Sequence, residues 1–460
     1  MRSQIFRVME DHQPAGNQPP LDTDETMRRR LPGSKLDGSS NRRRNWAKLG
    51  PMILLPFLTI SLSILLLGCT DGPAGSPTST PTPRRTAPAL GPTSTPSAAR
   101  TSGPTVVPTP TLAPIPTITT SEILLGREKA PVTLLMYSDF DCDLCAAVAA
   151  DLMEIQSNHS DSVRYAFRPF PLLTIHEKSA QATSAYFAAK ELGQGPAMHR
   201  ALFNRREDWR SLTPAEFRSW LIDLAPELDL DPSSFAELMT EPQTLSSVET
   251  AYQQAQASGV PGVPFLFINN QPYLLDLTRT NLEAVVRLAL LEGEQFESAP
   301  TAMPPQRLPA RATLHFNFGA VEIQLFPASA PQAVTSFFFL GRQGWYDNSG
   351  LYHVRPGEFV MGGDPTDTGL GNAGFHFEVE TDPAQAFDQA GMVALDNAGS
   401  GRNSSRFLIT LEPRPNLSDS YTIIGRVTSG LDQLDQLSAR EPLDDLLQPP
   451  EAVLERVSFD

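Results

Sequence analysis

The sequence predicts a multidomain protein in which an α/β domain is followed by an antiparallel β-barrel with two helices. Three observations lead to this fold class. An apolar, strand-like run leads directly into a helical pattern at Cys142, a strongly alternating pattern begins at Thr313, and a Pro-rich segment separates both from an apolar N-terminal run. At about 150 residues per domain, 460 residues leave room for three units.

Composition excludes several functional classes. The chain carries 36 Lys and Arg against 52 Asp and Glu, and this net charge of −16 argues against a nucleic-acid binder. Hydrophobic residues make up 40 % of the chain, which is enough for packed cores but not for many membrane spans. The three cysteines, Cys69, Cys142 and Cys145, are too few for a disulfide scaffold, so each is interpreted separately.

The N-terminal region predicts attachment to a membrane. Residues 1–50 are polar and basic, and we expect a disordered cytoplasmic segment or the n-region of a signal sequence. Residues 51–69 form a hydrophobic anchor, whose apolar run of roughly 27 Å as a helix is long enough to cross a bilayer. Basic residues precede it, so the positive-inside rule places the folded domains on the extracytoplasmic side of the cell membrane.

The anchor ends in Leu-Leu-Gly-Cys69, which resembles a bacterial lipobox. Two alternatives remain open, lipid attachment at Cys69 or an uncleaved transmembrane anchor, and both give the same topology. Residues 70–117 are rich in Pro, Thr and Ser and cannot bury a core. As extended polyproline II of about 3.1 Å per residue, they form a predicted linker of roughly 150 Å.

A Cys-x-x-Cys motif joins the predicted strand over residues 130–137 to the predicted helix over residues 146–155. A helix N-terminus stabilises a thiolate, which favours Cys142 as the nucleophile. Cys145 lies one turn further on the same face and can pair with it, and Asp141 is the predicted N-cap. The alternatives are an inert disulfide or a zinc site, although zinc needs two further suitably spaced ligands.

Residues 118–293 resemble the DsbA-like thiol oxidoreductases of the thioredoxin superfamily. The resemblance lies in four segments, APVT to the second cysteine (130–145), VRYAFRPFPL (163–172), MHRALFNRREDW (198–209) and GVPGVPFLFIN (259–269). It implies a thioredoxin-like fold with an inserted helical subdomain, a catalytic pair Cys142 and Cys145, and a cis-proline at Pro264 beside them. Strong oxidants of the family carry Pro-His between the cysteines, where this chain has Asp143 and Leu144.

That difference predicts a milder oxidant. Asp139, Asp141 and Asp143 surround Cys142 in sequence, and negative charge near a thiol opposes its ionisation. We therefore expect a higher Cys142 pKa than in the strongly oxidising members. The alternative is that the three carboxylates are solvated or act as caps, with little effect on the pKa.

After a predicted linker over residues 294–308, residues 309–460 resemble cyclophilins. A hairpin pattern turns at Gly319, a helix is predicted over residues 330–342, and a final helix over residues 430–437. The matching segments are GGDPTDTG (362–369), GMVALDNAG (391–399), NSSRFLIT (403–410) and YTIIGRV (421–427). The resemblance implies peptidyl-prolyl isomerisation, in which the enzyme lowers an amide rotation barrier of ~18–20 kcal/mol.

The implied isomerase site departs from the family. The resemblance puts His353 where cyclophilins have their catalytic arginine, whereas Asn397 and Leu417 match. Arg355, on the same strand face as His353, and Arg406 are the predicted replacement cations. The predicted isomerase groove consists of His353, Arg355, Phe359, Met361, Asn397, Arg406, Leu408 and Leu417.

Together these features predict a bacterial, membrane-anchored folding catalyst that combines thiol–disulfide exchange with proline isomerisation, two slow steps of folding. One alternative is an oxidoreductase whose degenerate barrel only binds clients, and another is a surface scaffold in which both domains are inert. The expected partners are extracytoplasmic client polypeptides, the membrane, and a redox partner protein that recycles the cysteines. We expect no metal, no other cofactor and no nucleic acid.

Overall fold

The computed structural model describes residues 117–397 and 401–460, which all belong to one compact unit. The predicted segment 1–50, the anchor 51–69 with Cys69, and all but the last residue of the linker 70–117 lie outside the described residues. Within the described part of the chain, no helix combines the length and the apolar character that crossing a bilayer requires.

The first region is an α/β domain built on a five-stranded sheet of order β1-β3-β2-β4-β5. The two central strands β2 and β3 are parallel, whereas β4 runs antiparallel to β2. Every residue of β2 is buried, because this strand is central and the sheet is covered on both faces. The strands are β1 (Ile123–Leu125), β2 (Val132–Ser138), β3 (Val163–Pro169), β4 (Phe265–Ile268) and β5 (Gln271–Pro272).

The described part of the α/β domain contains eight α-helices. Helix α1 follows β2 and packs against β3 and the last helix, α8. The six helices α2–α7 lie between β3 and β4 in the chain, and they form the inserted subdomain that was predicted. The helices are α1 (Asp143–Asn158), α2 (Ser179–Glu191), α3 (Gly195–Asn204), α4 (Arg206–Trp209), α5 (Pro214–Leu224), α6 (Pro232–Leu238), α7 (Pro242–Ala257) and α8 (Arg279–Leu291).

The second region contains a nine-stranded antiparallel sheet of order β8-β16-β6-β7-β15-β12-β14-β10-β9, and a separate pair β11-β13. The predicted hairpin at Gly319 joins β6 to β7. The strands are β6 (Arg311–Phe316), β7 (Gly319–Leu325), β8 (Ser349–Gly350), β9 (His353–Arg355), β10 (Phe359–Gly362), β11 (Phe377–Glu378), β12 (Met392–Leu395), β13 (Arg402–Asn403), β14 (Phe407–Thr410), β15 (Thr422–Ser429) and β16 (Val453–Phe459).

Two α-helices pack on this sheet, as predicted. Helix α9 (Pro331–Arg342) contacts β15 and β16. Helix α10 spans only Leu431–Leu434, less than the predicted residues 430–437. The chain leaves the helix after one turn, because Leu434 is already buried in the barrel core and the following residues form a loop.

Side chains along β9, β10, β12 and β14 point alternately to the two faces of the sheet, and each face carries an apolar layer. One set of side chains faces the barrel core and consists of Val354, Val360, Val393 and Ile409. The alternate positions lie on the opposite face, where His353 pairs in register with Met361, and Met361 with Leu408. Since side chains point to alternate faces of a strand, the predicted groove residues of β9, β10 and β14 share one surface.

Residues 294–308, predicted as a linker, pack along the second region and are not a free spacer. The ring of Phe296 lies 5.0 Å from that of Phe339 and 5.9 Å from that of Trp345. The backbone N–H of Phe296 donates to the Ala373 carbonyl at 2.9 Å. The segment is thus held against the barrel by Phe296, a large apolar side chain that is partly buried there.

The two regions also contact each other directly. Leu370, Leu443 and Leu446 of the second region pack against the hydrophobic core of the α/β domain. Arg287 of α8 donates through Nη1 to the Thr366 carbonyl at 3.2 Å. This interface orients the barrel against α8, the helix that packs on the cysteine-bearing helix α1.

Candidate redox and isomerase sites

Cys142 and Cys145 form a disulfide at the start of α1, with their Cα atoms 5.2 Å apart. Cys142 is itself the N-cap, and its sulfur accepts the Cys145 N–H at 3.1 Å. The prediction that Asp141 caps the helix was wrong, because its carboxylate instead accepts the Lys178 N–H at 3.1 Å. Cys142 is 9 % exposed and Cys145 is completely buried, so Cys142 is the more accessible of the two residues.

The Val263–Pro264 peptide bond is cis, as the resemblance implied. Pro264 directly precedes β4, whose first residue pairs with Tyr137 near the end of β2. The cysteine turn leaves β2 at the same end of the strand. Val263 packs against the hydrophobic cluster that contains both cysteines, so the structure brings this loop and the disulfide to one edge of the sheet.

The three carboxylates near Cys142 all have partners. Asp139 is completely buried and accepts from the Leu172 N–H, the Ser179 hydroxyl and His176 Nδ1, each within 2.9 Å. Neither the solvated nor the simple capping alternative describes this residue. The raised Cys142 pKa stays a prediction, but its premise of uncompensated negative charge does not hold.

Arg206 supplies most of that compensation. Its guanidinium donates through Nη2 to the Asp141 carbonyl at 2.7 Å and lies 3.0 Å from an Asp143 carboxylate oxygen through Nη1. The side chain is 9 % exposed and stacks over the Trp209 ring at 5.3 Å. Sequence reasoning missed Arg206, because α4 meets the cysteine turn only through the tertiary fold.

A second missed residue lies directly behind the cysteine turn. His199 of α3 is completely enclosed by aromatic rings and lies 4.6 Å from Phe167 and 5.9 Å from Phe140, measured between ring centroids. The Tyr165 hydroxyl lies 3.2 Å from its Nε2 atom. Burial, helped by the charge of Arg200, lowers the His199 pKa from 6.5 to about 3, so the ring is neutral near neutral pH.

In the barrel, the structure brings part of the predicted pocket together. Met361, Leu408 and Leu417 belong to one hydrophobic cluster, together with Phe387 and Tyr421. Phe359 takes a different position, since its ring meets the His353 ring edge-on at 4.9 Å. The guanidinium carbons of Arg355 and Arg414 each lie 5.8 Å from the Phe359 ring centroid.

His353 and Arg355 share a carboxylate that the sequence analysis did not identify. Glu441 lies 3.3 Å from His353 Nε2 and 3.5 Å from Arg355 Nη2. Arg355 Nε donates to the same His353 nitrogen at 3.2 Å. Burial lowers the His353 pKa and the nearby Arg355 charge adds to this, while Glu441 opposes it. A neutral imidazole leaves Arg355, half exposed, as the cation at this edge of the groove.

The prediction that Arg406 brings a cation into the groove was wrong. Its side chain is 11 % exposed and lies 3.0 Å from the buried Asp396 carboxylate, and it also donates to the Gly369 carbonyl. Burying a guanidinium is costly unless it is paired, so the fold places a carboxylate beside it. The neighbouring Asn397 is buried and donates through its side-chain amide to the Ser420 carbonyl at 2.5 Å.

The residues that the sequence did not identify differ in whether a neighbouring motif could have indicated them. Asp396 stands next to the predicted Asn397, and an opposite charge near Arg406 in the same motif region was a usable hint. Glu441 gave no such hint, because it reaches β9 through a C-terminal loop held by a bridge between Val354 and Arg440.

Two family models match the chain. The cyclophilin type peptidyl-prolyl cis-trans isomerase model matches residues 311–455, and the thioredoxin model matches residues 119–287. Peptidyl-prolyl cis-trans isomerase-like 1 of Gibberella zeae is 38 % identical over 27 % of this chain and 78 % of that protein. Its namesake from Mus musculus is 34 % identical over 32 % of this chain and 93 % of that protein.

Larger relatives match only in part. The peptidylprolyl isomerase domain and WD repeat-containing protein 1 of Mus musculus is 34 % identical over 148 residues, and the match spans 23 % of its length. A crystal structure of a Cryptosporidium parvum cyclophilin type isomerase shows 27 % identity and a TM-score of 0.30, covering 33 % of this chain and 98 % of that one.

Through its C-terminal domain, the chain belongs to the cyclophilin-type peptidyl-prolyl cis-trans isomerase family. Its N-terminal folded domain is thioredoxin-like. The predicted fold class, a thioredoxin-like domain followed by a cyclophilin-type domain, is therefore confirmed.

Proposed function

We propose that this protein is a membrane-anchored, extracytoplasmic folding catalyst that exchanges disulfides and isomerises prolyl bonds in client polypeptides. The observation that carries the proposal is the pairing of two candidate sites in one compact unit. One is the disulfide in which Cys142 is slightly exposed and Cys145 is buried, and the other is the apolar cluster of Met361, Leu408 and Leu417, with Arg355 on the same face of the sheet.

The redox step follows from the unequal burial of the two sulfurs. A client thiolate attacks the Cys142 sulfur, the bond between Cys142 and Cys145 breaks, and Cys145 leaves with the electron pair and takes up a proton. A second client thiolate then attacks the client sulfur of the mixed disulfide and releases Cys142 as a thiolate. The client loses two electrons and gains a disulfide, and the cysteine pair is reduced.

The isomerase step uses the groove on β9, β10 and β14. The cluster of Met361, Leu408 and Leu417 receives the proline ring, and Arg355 directs a charged N–H donor toward the prolyl nitrogen. A donor at that nitrogen weakens amide resonance and so lowers the rotation barrier. His353 and Glu441 hold the guanidinium at the edge of the groove.

The proposed location rests on the sequence. The apolar run over residues 51–69 and the Pro-rich linker over residues 70–117 favour a tether on the outer face of the membrane. A cycling disulfide suits an oxidising compartment, where emerging clients carry free thiols. A redox partner that reoxidises Cys142 and Cys145 completes the cycle.

Two assays on the full chain test the proposal separately. Oxidation of a reduced two-thiol client peptide is expected with the native chain and not with Cys142→Ser. Exchange NMR on a peptide with one X-Pro bond is expected to show faster cis–trans exchange with the native chain, and with Cys142→Ser equally. Peptide binding without faster exchange would favour a client-binding barrel, and failure of both assays would favour an inert surface scaffold.

A further inference from the structure

We propose that Arg206 is the positioning residue that stabilises the Cys142 thiolate and thereby sets the redox potential of the cysteine pair. This inference rests on the proposed oxidoreductase function and deepens it. It assigns a role to a side chain of the inserted helical subdomain that lies outside the Cys-x-x-Cys motif.

The guanidinium contacts the chain on both sides of Cys142. It donates to the backbone carbonyl of Asp141 at 2.7 Å and lies 3.0 Å from the carboxylate of Asp143. These are the residues immediately before and after the cysteine. In the disulfide form, these two contacts hold the cation beside the cysteine turn.

Burial makes that charge effective. Arg206 is 9 % exposed and stacks on the completely buried Trp209, so solvent screens its field only weakly. By contrast, Asp143 is 70 % exposed, and its negative charge is well screened. Asp139 and Asp141 are buried as well, with side chains 0 % and 11 % exposed, so the Arg206 charge offsets negative charge that solvent does not screen.

Arg206 also has unused donor capacity. In the disulfide form, its Nε and Nη1 atoms are buried and make no hydrogen bond, although Nη1 is within ion-pair distance of Asp143. Buried donors without acceptors are costly, so the oxidised form carries an unfavourable feature. Reduction creates a negative charge on Cys142, the residue between the two that Arg206 contacts, and this charge adds to the attraction from Asp141 and Asp143.

The other charged groups around the turn do not provide the same support. The Asp139 carboxylate pairs with His176, and the Asp141 carboxylate accepts the backbone N–H of Lys178. The Lys178 ammonium donates to the Arg210 carbonyl, and the Arg210 side chain pairs with Glu207. His176 and the Lys178 ammonium are directed to partners other than the residues flanking Cys142, and Arg210, whose charge also acts on Asp143, is 47 % exposed. Among the described residues, Arg206 is thus the buried cation in contact with both residues that flank Cys142.

The test compares Arg206→Gln, Arg206→Lys and Asp143→Asn with the matched control Arg205→Gln, whose side chain pairs with Asp208 and Glu227 at the surface. Two quantities are measured on the full chain. One is the Cys142 pKa, from thiolate absorbance during titration of the reduced protein. The other is the equilibrium between dithiol and disulfide in glutathione buffers.

Arg206→Gln is expected to raise the Cys142 pKa by about one unit. A thiolate destabilised to that extent shifts the glutathione equilibrium about tenfold toward the disulfide, which is ~30 mV toward more negative potential. Arg206→Lys should recover part of both shifts, and Asp143→Asn should move both in the opposite direction. Arg205→Gln should leave both unchanged.

The inference is overturned if Arg206→Gln folds and keeps the native pKa and potential, because Arg206 then only docks α4 on the cysteine turn. If Arg206→Gln does not fold, an unchanged potential in both Arg206→Lys and Asp143→Asn overturns it equally. A native chain that does not exchange with glutathione at all contradicts the proposed oxidoreductase function instead.

Discussion

Replacing His199 with phenylalanine is expected to remove an acid sensitivity of the α/β domain. His199 is neutral in the folded protein because burial lowers its pKa from 6.5 to about 3. In the unfolded chain it binds a proton below about pH 6.5. The unfolded state therefore holds more protons throughout the range between these values, and the folded domain loses stability as the pH falls through it.

The magnitude follows from the width of that range. At about pH 4.5, two units below the His199 pKa in the unfolded chain, the native fold loses about 2.7 kcal/mol of stability, at ~1.36 kcal/mol per pH unit. Phenylalanine suits the aromatic enclosure formed by Phe140, Phe167 and Phe203 and does not titrate. It removes the stronger partner of the Tyr165 hydroxyl and leaves the Met136 sulfur at 3.4 Å, which costs about 1–3 kcal/mol at every pH.

Hydrogen exchange of the β2 amides is a suitable readout, because Val132–Ser138 lies in the buried centre of this domain. At pH 7 we expect His199→Phe to be less stable than the native chain. Near pH 4.5 the difference in stability between the native chain and His199→Phe should disappear or change sign. The control His315→Gln lies on β6 of the barrel and should not change the β2 values. Parallel pH dependence in the native chain and His199→Phe would refute the reasoning.

Three further predictions concern the barrel and its interface. Phe296→Ala should destabilise the chain by about 3–5 kcal/mol in urea unfolding, since it empties an aromatic site on the barrel, and a loss below about 1 kcal/mol would contradict the packed-linker assignment. Asp396→Ala should cost about 3–5 kcal/mol because it leaves the Arg406 charge buried without its carboxylate, whereas Asp396→Ala combined with Arg406→Leu should recover most of the loss. An additive double mutant would count against that pairing. Arg355→Gln should slow catalysed X-Pro exchange at least tenfold in NMR without changing the urea midpoint, and native rates would rule out Arg355 as the donor.

The interface adds a practical consequence. Because Leu370, Leu443 and Leu446 pack on the core of the α/β domain, an isolated barrel would expose these side chains to water. Isomerase measurements therefore belong on the full chain.

Local patterns in the sequence determined the order of elements and the identities of the two families. The strand-to-helix junction at the Cys-x-x-Cys motif and the hairpin at Gly319 are specified by residues close together in the chain, whereas the cis bond before Pro264 was implied by the family resemblance. Physical causes such as helix termini and period-two alternation act over a few residues. For that reason, these features were predictable without knowledge of the tertiary structure.

Tertiary structure alone decided the electrostatics of both sites. Arg206 is 64 positions from Cys142, and Glu441 is 88 positions from His353, yet each contacts the neighbourhood of its partner across the fold. The charge on Asp141, Asp143 or Arg406 was visible in the sequence, but its effect depends on burial and on the opposite charge beside it. Burial and the position of the opposite charge depend on which elements pack together. They determine whether a carboxylate opposes the ionisation of a thiol and whether an arginine side chain lies in a groove.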